Sequence, residues 1–235
     1  MQEGMSTVER LKKMFEQREI EQYGRLLTDE ERIAKEQEEE RINKEKEAEV
    51  KKERILGDFS QSVPLRYKDA TFDNYVCSTE RQKSIVAYLK QGKSAIIYGS
   101  NGTGKTHLAY ACCFHQISQN KTAKYILAFD FFNEIRDSFD THTSNDIVMQ
   151  YAKYDYLVID EVDKTQGTAM EFAYLYSLIN RRYNDIKPTV LVTNSKPDEL
   201  KVIVGASVID RIGSDGKIIE LSGENYRQKI AKEQN

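Results

Sequence analysis

The sequence predicts an α/β fold, a parallel sheet flanked by helices and preceded by a charged helical extension. Three observations carry that prediction. From about residue 78 to 221, short β-branched runs alternate with amphipathic stretches, the pattern of parallel strands joined by helical crossovers. One run, Ser94-Ala-Ile-Ile-Tyr98, leads straight into the glycine-rich string GSNGTGKT, Gly99 to Thr106. Another, Tyr156 to Ile159, ends in the paired acids Asp160 and Glu161.

Taken in order, residues 1–27 carry a modest helical pattern, with Val8, Leu11 and Phe15 on one face and Ile20, Tyr23 and Leu27 on its drifting continuation. Thr28 and Glu31 have the spacing of a capping box, which would open a second helix. That helix, to about Arg54, is mostly Glu, Lys, Arg and Gln, and Ile33, Ile42 and Val50 are too sparse for a coiled-coil seam. Opposite charges four apart, as at Glu31/Lys35, Glu40/Lys44 and Glu47/Lys51, suit a solvated single helix. Gly57 to Tyr67, with Pro64, reads as a linker. Ser78 is placed to cap a helix running to Gln91, stopped by Gly92.

After the glycine string, Leu108 to Phe114 continue as an apolar helix. Lys124 to Phe129 reads as a strand and Asp130 to Phe139 as a helix with Phe132, Ile135 and Phe139 inward. Thr141 to Asn145 reads as a loop, and a short helix ends near Tyr154. Beyond the acidic strand, Met170 to Tyr183 is helical, Pro188 leads into a strand over Thr189 to Thr193, and Ile218 to Leu221 is a fifth strand.

The glycine string fits the phosphate-cradling pattern G-x-x-x-x-G-K-[S/T] at every fixed position. By chance the bare pattern would turn up in about one chain of this size in a hundred, so its setting decides. Strand, glycine loop, helix is the confirming context. Gly99, Ser100, Asn101, Gly102, Thr103 and Gly104 would turn the backbone so that its N–H groups meet phosphate oxygens at a helix N-terminus. Lys105 would reach the β- and γ-phosphates, and the Thr106 hydroxyl would hold Mg²⁺. Asp160 fits the second metal-holding role and Glu161 that of a base polarising the attacking water. Asn194, at the tip of TVLVTN, stands where an amide could position that water.

Composition bounds the rest. The 235 residues are 39% hydrophobic and 31% charged, enough for one sizeable α/β domain and an appendage. The formal charge of −3 divides unevenly: residues 1–56 hold 13 Lys/Arg against 16 Asp/Glu, and the remainder 22 of each. A neutral core gives no global signature of nucleic-acid binding, so any such contact needs a local patch. Cys77, Cys112 and Cys113 show no C-x-x-C spacing; free core thiols of a reducing compartment are expected, and no zinc site. No signal-peptide pattern or bilayer-length apolar run is evident, so a cytoplasmic protein with no membrane partner is expected.

At this point the residues stop being generic. GSNGTGKTHLA resembles the P-loop of the DnaC/IstB family, the replicative helicase loaders and transposition helpers of bacteria and phage. LVIDE is similar to that family's metal-and-base strand, and INRRYNDIKPTVLVTN (179–194) to its stretch into the sensor Asn. ATFDNY resembles the family's lead-in segment, where aromatic residues lie near the adenine. The likeness runs from about Tyr67 to Arg227 and is strongest to the DnaC-like loaders.

The resemblance implies an AAA+ P-loop ATPase with ATP and Mg²⁺, working as an oligomer with nucleotide between subunits. It implies a nucleotide-binding core over 57–204, a short C-terminal helical lid over 205–235, and a partner-binding extension over 1–56. Arg211, in VIDRI, would reach a neighbour's γ-phosphate, and Arg227, in NYR, would face nucleotide as the second sensor. His107 belongs to the loop's likeness without a chemical role of its own. One departure is that Gly205-Ala-Ser207 stands where such loaders often carry a further arginine.

The implied activity is loading of a replicative helicase, gripped through 1–56, onto single-stranded DNA. The alternative is an IstB-type transposition helper acting on double-stranded DNA. For single-stranded DNA, the aromatics of AFDFFNEIRDSF with Arg136, and then Lys121, Lys124, Arg181 and Arg182, are the local candidates, although Phe132, Ile135 and Phe139 at helical spacing also suit a core. A small-molecule kinase would need an acceptor site and an arginine-rich lid, neither of which is evident. A nucleotide-dependent binding switch with negligible hydrolysis remains a fourth reading.

Overall fold

The computed structural model describes residues 7–223, 225 and 226, and divides into two compact units, Met1–Val50 and Lys51–Asn235. In the first unit α1 (Thr7–Tyr23) is followed by the opening turns of α2, which spans Asp29–Ser62. The predicted capping box forms: Glu31 N–H donates to Thr28 Oγ1 at 3.3 Å and Thr28 N–H donates to Glu31 Oε2 at 2.9 Å. Arg32 reaches back to Glu19 on α1 at 2.8 Å. The expected Glu40–Lys44 pair is present at 2.6 Å, whereas Glu31 turns to Arg25 and Lys35 to Glu39. These surface pairs are screened by water and contribute little. Val8, Leu11, Phe15 and Ile20 are all exposed.

In the second unit, five parallel strands form one sheet in the order β2-β3-β4-β1-β5. They are β1 (Ser94–Tyr98), β2 (Ala123–Leu127), β3 (Tyr156–Asp160), β4 (Thr189–Thr193) and β5 (Gly216–Glu220). Because side chains alternate along a strand, β1 to β4 each feed two cores, whereas the edge strand β5 buries only Ile219, on one face. Ala95, Ile97, Val158, Val190 and Val192 meet α3 (Glu80–Leu89) and α4 (Lys105–Ser118) on one face. Ile96, Leu157, Ile159 and Leu191 meet α5 (Ala128–Asp137), α6 (Ser144–Lys153), α7 (Ala169–Asn184), α8 (Pro197–Val204) and α9 (Ala206–Asp215) on the other.

Several boundaries differ from the sequence reading. Gly57 to Ser62 is not a linker but the end of α2, because Phe59 and Val63 bury 94% and 97% of their surface in the α4 core. Phe59 packs edge-on against Phe114 at 5.0 Å. Pro64 instead caps a short 3₁₀ turn, Leu65–Tyr67. The cap of α3 is Thr79, whose side chain accepts from Gln82 N–H, rather than Ser78. Strand β2 ends at Leu127, since Ala128, Phe131, Phe132 and Ile135 bury at helical spacing; Phe139 is exposed rather than inward. In the segment assigned to a C-terminal lid, α9 and β5 belong to the sheet layers, and Leu221 N–H still bonds Tyr98 O at 2.8 Å.

Arg182, expected as a solvent-facing DNA candidate, is fully buried at the N-terminal ends of β3 and β4. Its guanidinium donates to Thr189 Oγ1 at 2.8 Å and to the carbonyls of Tyr151, Ala152, Tyr154 and Pro188. Burial pushes its pKa down to about 10, still protonated at neutral pH. It clamps the turns that feed two core strands. Arg182→Ala strands those carbonyls and should lower the unfolding free energy by about 3 kcal/mol in urea titration; a loss below about 1 kcal/mol would mean that water meets them.

Candidate nucleotide-binding site

The site lies at the C-terminal ends of β1, β3 and β4, where open parallel sheets bind ligands. The backbone of the glycine loop is shaped for close approach. Gly104 caps α4 in the left-handed region at φ 92°, and a Cβ there would meet the Tyr75 ring at 2.7 Å. At Gly99, φ 151°, a Cβ would strike the carbonyl oxygen of Leu221. Both positions therefore demand glycine. Lys105 is buried, its ammonium donating to the carbonyls of Gly99 and Ser100 at 2.8 Å.

Asp160 is the hub. Only 2% exposed, its carboxylate accepts from the Thr106 hydroxyl at 3.0 Å, the Tyr125 hydroxyl at 3.0 Å and the Glu161 N–H at 2.7 Å. Burial raises its pKa, opposed by those three hydrogen bonds and by the nearby Lys105 charge. Glu161 lines the cleft with its backbone at φ 55°, a left-handed conformation costing a non-glycine residue about 1 kcal/mol or more. Thus the chain turns sharply at the strand tip and leaves the Glu161 side chain exposed while Asp160 stays covered.

Asn194 also lines the cleft, and its setting shows a residue that motif reasoning missed. Asp163, in the 3₁₀ turn Val162–Lys164, accepts from Thr193 Oγ1 at 3.0 Å and Asn194 N–H at 3.1 Å, with the Asn194 amide nitrogen at 3.4 Å. The loop after β3 is thereby latched to the tip of β4. The only hint was a third acid two places beyond Glu161. Tyr125 was missed because nothing local says that a strand tyrosine will meet an acid 35 residues on.

A cavity of about 650 Å³ runs past Lys105, Thr106, Asp160, Glu161 and Asn194. A smaller one of about 250 Å³ adjoins it, lined by Tyr75, Val76, Ser78, Thr103 and His107, and Tyr226 borders both. The Tyr75 hydroxyl donates to Thr103 O at 3.1 Å, and burial pushes its pKa up to about 12. Phe72, the other aromatic of the lead-in segment, is core. His107 ties α4 to that segment through Thr71 O at 2.9 Å.

Arg211 does not line this cleft. It stacks over Tyr176 at 4.7 Å and bonds Asn180, Ser207 O and the Tyr176 hydroxyl. Neither Asp210 nor Asp215 pairs with it among the described residues. Arg227 lies outside the described residues. Of the DNA candidates, Phe131, Phe132 and Ile135 are core, Phe129 is exposed beneath Arg136, and Arg136 also pairs with Glu171 at 3.4 Å. Cys112 and Cys113 are fully buried, and burial pushes their thiols up, Cys112 to about 12. No described helix is long and apolar enough to cross a membrane.

A parallel sheet with the glycine loop after β1, the acid strand β3 beside β4, and helices on both faces defines an AAA+ P-loop nucleotide-binding protein. Comparison narrows this further. The model of the IstB-like ATP binding protein family matches residues 16–234, and the chain belongs to that family. The replicative helicase loader DnaC of Escherichia coli K12 is 26% identical over 175 residues, covering 70% of this chain and 71% of that protein. Among solved structures, a DnaC helicase loader superposes with a TM-score of 0.61 at 20% identity, over 68% of this chain and 100% of that one. The replication initiator DnaA bound to AMPPCP and single-stranded DNA gives 0.62 at 24%, over 74% of this chain; the match spans only 55% of that longer chain. At these identities the two structures speak for the fold alone.

The Asp163 latch has a pH signature. Burial opposes its ionisation, but hydrogen bonds from Asn194 and Thr193 outweigh it and leave its pKa below the ordinary value. A depressed carboxylate stabilises the fold above its unfolded pKa and ceases to as pH falls through the native one. Asp163→Ala should therefore lose about 2 kcal/mol at pH 7. The gap between variant and wild type should close below the ordinary carboxylate value of about 3.9. Urea titrations at both pH values measure it, and a pH-independent gap would remove the charge from the account.

Proposed function

We propose that the protein is an ATP-driven helicase loader. The observation that carries this reading is the convergence of Lys105, Thr106, Asp160, Glu161 and Asn194 on one cleft in a chain related to DnaC. In this reading the triphosphate lies along Gly99 to Thr106 and the base enters the smaller pocket beside Tyr75. The Thr106 hydroxyl and Asp160 carboxylate, already 3.0 Å apart, form an all-oxygen donor pair that suits Mg²⁺. The ion would supply charge neutralisation on the phosphates. Glu161, exposed in the cleft, takes the proton of the attacking water, and Asn194, steadied by Asp163, orients that water.

Arg211, outside its own cleft, would serve a neighbouring copy, which makes hydrolysis depend on assembly. Arg227 would complete the nucleotide shell. The exposed apolar residues of α1 would grip the replicative helicase, and the ATPase unit would release it onto single-stranded DNA. An IstB-type transposition helper acting on double-stranded DNA is the second reading, favoured by the family match.

Three experiments test this. Glu161→Gln should keep ATP affinity while slowing turnover by about 10²-fold or more; an unchanged rate removes Glu161 as base. Pull-down with replicative helicases should succeed with the full chain and fail without residues 1–56. Filament formation on duplex DNA with no helicase capture would favour the transposition helper.

A further inference from the structure

The cleft holds a cation that neither the glycine-loop pattern nor the family's arginines account for. Arg66 lines the larger cavity together with Thr106, Asp160 and Glu161. The residue is exposed, and among the described residues its guanidinium has no acceptor and no carboxylate partner. Its backbone, by contrast, is fixed. It occupies the middle of the 3₁₀ turn Leu65–Tyr67, closed by Tyr67 N–H to Pro64 O at 2.9 Å and preceded by buried Val63.

The next residue sets which end of the cleft the arginine serves. The Tyr67 ring stacks on Tyr110 at 5.0 Å, Tyr110 stacks on Tyr125 at 4.0 Å, and the Tyr125 hydroxyl donates to Asp160 at 3.0 Å. This aromatic pile anchors the turn to the side of the cleft that carries the metal-binding acid. Arg66 takes no part in the smaller pocket beside Tyr75, which suits the base. A nucleotide with its base there and its phosphates on the glycine loop runs its terminal phosphate toward Thr106 and Asp160.

We propose that Arg66 contacts the terminal phosphate of a bound nucleoside triphosphate from within the same chain, and so distinguishes triphosphate from diphosphate. This rests on the nucleotide reading above and adds a residue to it. The chemistry is apt: a guanidinium offers five donors in a planar fork that matches phosphate oxygens, and this one gives up no bond to a described residue to do so. An ammonium on the same stem would keep the charge and lose the fork.

The test uses the full chain and measures Mg²⁺-dependent binding of a slowly hydrolysed ATP analogue and of ADP to wild type, Arg66→Ala and Arg66→Lys. Arg66→Ala should weaken the triphosphate about tenfold and leave ADP unchanged, with Arg66→Lys between. Because Arg66 is exposed and has no partner among the described residues, the variants should melt with wild type, so any selective loss belongs to the site. Equal weakening of both nucleotides, or of neither, overturns the proposal while the nucleotide reading stands. A wild-type protein that binds neither nucleotide overturns both.

Discussion

The hydrogen bond from the Thr106 hydroxyl to the Asp160 carboxylate joins two motifs 54 residues apart, and the architecture of the core serves to make it. It exists because β4 lies between β1 and β3 in parallel register, Ile97 beside Val192 and Ile159 beside Leu191. Parallel strands present their C-terminal ends together, so the glycine loop, the acid pair and Asn194 emerge on one edge. Burying both faces of those strands makes the register hard to slip, since a one-residue shift would exchange the two cores.

A carboxylate as covered as Asp160 is costly unless hydrogen-bonded. Three donors meet it, and one of them, Tyr125, belongs to the aromatic pile that also seats the turn holding Arg66. The same contacts that stabilise the buried acid therefore position the outer wall of the cleft. Asp163 does the corresponding work on the other side, tying the loop after β3 to the tip of β4. Between them the two networks tie the strand tips that floor the cleft to one another, while Glu161 is left exposed at its left-handed turn.

Much of this was legible in the residues. The five strands, the glycine loop and the acid pair are local patterns; the strands at Ser94–Tyr98 and Thr189–Thr193 stand where the pattern put them, while the second and fifth, Ala123–Leu127 and Gly216–Glu220, begin and end earlier than read. The Thr28–Glu31 capping box also stands where its pattern put it. What failed did so where burial overrode local signals. Gly57 and Pro64 read as a linker, yet Phe59 and Val63 find partners on α4 and extend the helix to meet them. Ala128 and Phe129 looked like strand because β-propensity is local, whereas the burial of Phe131, Phe132 and Ile135 is not. Helices α8 and α9 went unread although Pro197 stands at the first turn of α8, a recognised start signal.

By itself, then, the sequence determined the nucleotide-binding class: a phosphate loop needs glycines and a lysine at fixed spacing, and fixed spacing is a one-dimensional property. It also determined the solvated character of residues 28–54, since charges four apart on a helix need nothing else. Only the tertiary structure decided which polar groups face one another. Arg182 and Arg66 are both arginines beside a tyrosine or an arginine in the chain, yet one is locked among carbonyls and the other stands open in the cleft. That difference is set by what packs across the space around each side chain, and distant partners leave no mark on the residues next to them in sequence.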